Sequence, residues 1–124
     1  MASLLNPEFA EVSKMAVAEA TAMTLKQVVV RQVQSVQPPL TFTVEVEWLP
    51  EEGIYLARCP EMKAIGWGET LKEAVDELAD EIWDFADVLV EDHAKDPNLH
   101  DPRLPYARFF FSLGSPEKVR AILV

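Results

Sequence analysis

Thiols are almost absent from this sequence. Cys59 stands alone, so no internal disulfide can form, and the usage fits a reducing compartment such as the cytoplasm. Glycine is scarce too, with four in the chain. None is arranged as a phosphate-cradling loop, a nucleophile elbow or a dinucleotide fingerprint, which removes the commonest signatures of nucleotide and acyl-transfer chemistry. No apolar run is long enough to span a bilayer. The opening residues lack the basic region and long apolar stretch of a secretory signal, so a cytoplasmic location is expected. Basic residues are outnumbered, 11 Lys and Arg against 21 Asp and Glu, for a net charge of -10. Such a surface repels nucleic acid, whose phosphates need Lys and Arg to displace counterions. Direct nucleic-acid binding is therefore not expected. Solubility alone would account for the charge; a basic partner, met by fast electrostatic encounter, is the other reading.

What is present suffices for one small domain with an appended arm. Hydrophobic residues make up 49% of the 124, an ordinary value for a globular chain, but the core is modest and oligomerisation is a common supplement at this size. Asn6 is a helix cap, Pro7 suits the first helical position, and Phe9, Val12, Ala16, Ala20 and Met23 recur at helical spacing. From Thr24 to Val36 two signals compete. Val28, Val29, Val30, Val33 and Val36 favour a strand, whereas Leu25, Val29, Val33 and Val36 make a helical stripe. The expectation is helix through about Val33, giving a helical arm over 1–38 that ends at the Gln37-Pro38-Pro39 break.

From Leu40 the period changes to two. Phe42, Val44, Val46 and Trp48 alternate with Thr41, Thr43, Glu45 and Glu47, which predicts a strand with one buried face. Pro50-Glu51-Glu52-Gly53 closes a hairpin, Ile54 to Cys59 is a second strand, and Ala64 to Gly68 a third whose glycines signal close backbone approach. Thr70 and Glu73 form a capping box. The helix they open runs to about Asp92, with an apolar stripe of Leu71, Val75, Leu78, Ile82, Phe85 and Leu89 and a second of Ala79, Trp83, Ala86 and Val90. Its other side is acidic: Glu73, Asp76, Glu77, Asp80, Asp84, Asp87 and Glu91. Three prolines exclude regular structure over 96–105. Tyr106 to Ser112 reads as a fourth strand, and Ser115-Pro116-Glu117 starts a short C-terminal helix over 114–124. The expected fold class is α+β: a small antiparallel sheet of three to four strands, with one long helix on one face and an N-terminal helical arm. Phe42, Val44, Val46, Leu78, Ile82 and Phe85 are its predicted core.

One stretch of this pattern resembles a known family. The junction Gly68-Glu69-Thr70-Leu71-Lys72-Glu73-Ala74, the hairpin Trp48-Leu49-Pro50-Glu51-Glu52-Gly53-Ile54-Tyr55-Leu56-Ala57 and the turn Cys59-Pro60-Glu61-Met62 together resemble the HicB-type antitoxins, whose fold is a partial ribonuclease H-like sheet. The resemblance covers a little under half the chain, within 39–113. Lys63-Ala64 stands where the family has Pro-Gly, with a connection one residue shorter. Only Ser115 to Val124 follows the last strand candidate, too short for the DNA-binding module that often ends such proteins. The resemblance implies a non-catalytic binding module that occludes a small basic mRNA-cleaving toxin of the HicA type through an acidic surface. The partner-binding residues expected on that basis are Glu45, Glu47, Asp76, Asp80, Trp83, Asp84 and Asp87. A stand-alone, homo-oligomeric HicB-like regulator without a toxin is the alternative.

Other chemistry fits less well. Glu45 with Glu47, or Asp76 with Asp80 and Asp84, supply carboxylates of the kind a metal-dependent nuclease uses, but Arg58 and Lys63 are too few to guide a nucleic acid. His93 and His100, with Asp92, Asp96 and Asp101, have metal-compatible types without ordered spacing. No metal, cofactor or catalytic residue is expected. Cys59 before Pro60 reads as a small core residue. Among the tryptophans Trp83, at the margin of the helix's apolar arc, is the expected interface anchor. A homo-oligomer is expected as well. The arc is wider than a small sheet covers, which leaves Trp83, Ala86 and Val90 in need of a partner; the arm has its own apolar stripe, and the sheet has open edges.

Overall fold

β-branched residues settle the first element. In the computed structural model, which describes residues 26–33 and 40–123, Lys26–Val33 is strand β1, antiparallel to β2, Leu40–Leu49. The helix expected through Val33 is thus corrected, and the sheet extends to both sides of the Gln37-Pro38-Pro39 break. Residues 29 and 33 share a face in either conformation, because a spacing of four is near one helical turn and is also two strand repeats. The stripe that suggested a helix therefore carried no discrimination. Three successive valines and an open ladder on β2 do discriminate. Val33 is buried and Val29 packs on the core, while Val28 and Val30 face out. The helix expected over the first residues lies outside the described ones.

β2, β3 (Ile54–Cys59) and β4 (Ala64–Gly68) follow the expected pattern, and the sheet order is β1-β2-β3-β4, all antiparallel. Phe42, Val44 and Val46 are buried on one face, as the alternation requires. Gly53 takes the left-handed conformation, φ 69°, and its N–H donates to the Leu49 carbonyl at 2.8 Å to close the β2–β3 hairpin. Between β3 and β4 a turn of 3-10 helix spans Pro60–Met62. Pro60 has no N–H to continue the ladder. Glu61 takes over the neighbouring positions: its carboxylate accepts from the Thr43 N–H at 2.8 Å and the Thr43 hydroxyl at 3.0 Å.

The long helix α1, Leu71–Lys95, packs its apolar arc on the buried sheet face, with Ala74, Val75, Leu78, Ala79, Ile82, Ala86 and Leu89 buried. It starts where the capping box placed it. Thr70 Oγ1 accepts from the Glu73 N–H at 3.1 Å, and the Glu73 carboxylate accepts from the Glu69 N–H at 3.0 Å. Phe85, expected in the core, is half-buried beside it. Gly66 lets β4 approach: a Cβ there would collide with the Leu78 nitrogen and stand 2.6 Å from the Ala74 carbonyl oxygen.

The strand expected at Tyr106 to Ser112 is helix α2, Leu104–Ser112, and the expected C-terminal helix is α3, Pro116–Leu123. Pro105 sits in the first turn of α2, where a missing N–H does no harm. Leu104, Ala107 and Phe110 then fall three apart on one buried side. Phe110 meets Phe42 edge-on, with centroids 5.1 Å apart. The phenylalanine run favours strands by propensity, but the bare part of α1's arc offered a larger apolar surface than a sheet edge would. The four strands are thus those preceding α1.

Candidate functional site

Two surfaces carry the residues of interest, on opposite sides of the sheet. α1 and the other helices cover the face of Phe42, Val44 and Val46. Glu45 and Glu47 point the other way and meet Arg58 across the β2–β3 pairing; its guanidinium donates to Glu45 at 3.0 Å and to Glu47 at 2.7 Å. The pair is thus neutralised in part by its own sheet. Asp76, Asp80, Asp84 and Asp87 lie along α1. The structure therefore does not bring the seven expected partner-binding residues together: the sheet separates Glu45 and Glu47 from the helix carboxylates.

Within the helix set, position decides electrostatics. Asp76 receives Lys72 and Arg120, both at 2.6 Å, and these two cations hold its carboxyl below the usual carboxylate range. One turn on, Asp80 behaves oppositely. Partial burial, then the charges of Asp84, Asp76, Glu117 and Glu77, push its pKa up. Asp84 and Asp87 are exposed, and among the described residues no ion pair reaches Asp80, Asp84 or Asp87. Past them Lys95 lies 3.7 Å from Glu91. The middle of α1 is accordingly a ridge of uncompensated negative charge, and a cation brought to it would relieve mutual repulsion.

Trp83 is not the exposed anchor that its sequence position suggested. Its indole stacks on Phe111 of α2, centroids 5.2 Å apart and planes 22° apart. Ala86 is fully buried and Val90 packs on the core. α2 and α3 cover the arc, so these residues do not call for an oligomer. Trp67 is the tryptophan that faces solvent, 57% exposed, beside Ile65 at 40%. Both stand on the sheet face away from α1, with Leu56 and Arg58 opposite them on β3. A signal for this was present: Gly66 and Gly68 must face α1, so their neighbours must face away.

The remaining candidates are structural. Cys59 is fully buried, and burial above all pushes its thiol up to about 12, the wrong direction for a nucleophile. His93 has the Arg108 guanidinium 3.2 Å from Nδ1, and His100 is exposed. Asp101 accepts from Arg103 at 2.9 Å through each carboxylate oxygen, and the Arg103 guanidinium stands over the Phe85 ring, 5.7 Å from its centroid. Among the described residues no three His, Cys, Asp or Glu side chains are grouped to hold a metal ion, and no helix is long and apolar enough to cross a membrane.

No family model matches the chain, and no curated protein or solved structure is found to be similar to it.

Proposed function

We propose that this chain is a non-catalytic binding module that seats a small basic protein on the acidic ridge of α1, the role that its resemblance to HicB-type antitoxins implies. One observation carries the reading. Asp80, Asp84 and Asp87 form a single-signed row on a rigid helix, with the nearby Lys72 and Arg120 both committed to Asp76. A row of carboxylates on a fixed helix resembles a strand of phosphates to a protein built to grip nucleic acid, and it speeds encounter with a basic surface. Glu45 and Glu47 belong to the other side of the sheet and are not part of this seat. Trp83, on the same helix, is stacked on Phe111 and is not part of this seat either.

Duplex DNA is not the expected ligand. Of the described cations, Arg58, Lys72, Arg103 and Arg120 are already paired with carboxylates at 3.0 Å or less. The other cations are outnumbered by the 21 Asp and Glu of a chain whose net charge is -10, a poor balance for displacing counterions from a phosphate backbone.

The test is purification of the tagged chain from its native host, beside the triple variant D80N/D84N/D87N. The expected result is a small basic protein that co-purifies with the native chain, elutes with rising salt and is lost from the variant. Equal recovery on both chains would overturn the ridge as its seat. Absence of any basic partner would leave the alternative, a stand-alone homo-oligomeric HicB-like regulator. That alternative is favoured by exposed valines on the edge strand β1.

A further inference from the structure

A partner held by charge alone leaves quickly. Exposed carboxylates speed encounter and set the salt dependence, whereas the lifetime of a complex comes from a desolvated anchor, most often an aromatic one. The acidic ridge of α1 has no exposed aromatic of its own, since Trp83 is stacked on Phe111. Among the described residues Trp67 is the one exposed aromatic side chain, at 57%, and Ile65, two positions before it, is 40% exposed. Both project from β4 on the sheet face away from α1, with Leu56 and Arg58 opposite them on β3.

We infer that Trp67, with Ile65 and Leu56, is the apolar anchor for the same small basic partner, which reaches it from the ridge round the edge strand β4. The inference rests on the basic-partner reading and names the residue that makes such a complex last. Glu77 joins the two surfaces. Its carboxylate accepts from the Trp67 N–H at 2.7 Å, and its charge is among those that act on Asp80. One turn earlier, and just beyond the strand, the Glu73 carboxylate accepts from the Glu69 N–H at 3.0 Å. Negative charge therefore continues from the ridge to the rim of β4, where the apolar patch begins, and a basic surface is complementary to it along the whole path. The same two carboxylates occupy backbone donors that an added strand would need. The partner thus meets side chains at this edge rather than the backbone.

What the patch itself receives is an apolar side chain, not a cation. Leu56 stands directly opposite Trp67 and is buried, while the indole has no ring partner among the described residues. Beside them the Arg58 guanidinium, donating to Glu45 at 3.0 Å and to Glu47 at 2.7 Å, closes the patch on the β2 side. A second cation brought there would meet that guanidinium. An apolar centre bounded by paired charges is the anatomy of an interface hot spot. The matching feature on the partner is one leucine, isoleucine, methionine or phenylalanine set among lysines and arginines.

The test takes the basic protein that co-purifies with the native chain, identifies it by mass, and rebinds it by calorimetry to the native chain, to W67A and to D80N/D84N/D87N. Binding is read at about 0.1 M salt and at about 1 M, where screening shortens to about 3 Å. W67A is expected to weaken binding by more than roughly tenfold at both concentrations, whereas the triple variant weakens it chiefly at the lower one. An arginine homopeptide, which carries charge without apolar surface, is expected to bind the native chain and W67A alike and the triple variant less. The fold of W67A should persist, because the side chain is exposed and the bond to Glu77 uses the backbone; circular dichroism melting checks that. Equal binding of the co-purified protein to W67A and the native chain would overturn the anchor and leave the ridge standing. A W67A deficit that disappears at about 1 M salt, or that the arginine homopeptide shares, would also overturn it, since Trp67 would then act on charge. Absence of any basic protein on the native chain would remove the underlying reading and the anchor together.

Discussion

The indole of Trp83 lies stacked on Phe111, centroids 5.2 Å apart, and this contact ties α2 to the part of α1 that the sheet leaves bare. Phe111→Ala should strip one face of the indole, cost about 2 kcal/mol for a half-buried ring, and shift tryptophan emission to the red. Urea unfolding followed by fluorescence reads both quantities. An unchanged midpoint would mean that α2 is held by Leu104, Ala107 and Phe110 alone.

Gly66 is the closest meeting of β4 with α1. A methyl group there runs into the backbone of Leu78 and Ala74 rather than into a yielding side-chain tip. Gly66→Ala should therefore destabilise the chain by on the order of 3 kcal/mol, seen as a lower thermal midpoint. A Gly66→Ala variant as stable as the native chain would show that β4 can retreat without loss.

Lys63 holds the left-handed conformation, φ 54°, with no side-chain benefit in the hydrogen bonds of its turn. An L-residue there costs roughly 1–2 kcal/mol, part of which glycine returns through the greater freedom of its unfolded chain. Lys63→Gly should raise stability by up to about 1 kcal/mol, measured by chemical denaturation. A loss of stability would place the value of Lys63 in its charge.

Asp101 is held down to about 2, first by the side-chain hydrogen bonds from Arg103. A carboxyl whose folded pKa lies below its unfolded value, about 4, stabilises fully above pH 4 or so and loses that contribution as pH falls towards 2. The gap in thermal midpoint between the native chain and Asp101→Asn should thus be constant near neutrality and shrink below about pH 4. A gap that persists at the acid end would mean that the amide fails for reasons other than charge.

Cys59 offers a simple check of packing. Its thiol is fully buried and pushed up to about 12 by desolvation. A soluble disulfide reagent at pH 8 should leave the folded chain unmodified for as long as it stays folded and label it at once in urea. Rapid labelling of the native chain would show that the β3–β4 turn opens.

Much of this fold is written in local patterns. The alternation of Phe42, Val44 and Val46 determines which face of β2 is buried, because a pleated strand turns successive side chains to opposite sides. Thr70 and Glu73 determine where α1 starts, since the first N–H groups of a helix need acceptors. Gly53 and Pro60 determine where β3 begins and ends. The acidic row on α1 is likewise visible as a spacing of three and four residues. What local pattern left open is every choice between two satisfiable conformations. Val29 and Val33 share a face as helix or strand, and the three successive valines together with the exposed ladder of β2 decided for a strand. Phe109-Phe110-Phe111 suits a sheet edge, yet the bare arc of α1 drew it into a helix that buries more apolar surface. The candidate site divided for the same reason. Glu45 and Asp80 are alike in sequence as acids on amphipathic elements. Only the packing of α1 on one face of the sheet put them on opposite sides, gave Glu45 an arginine partner, and left Asp80 among other negative charges.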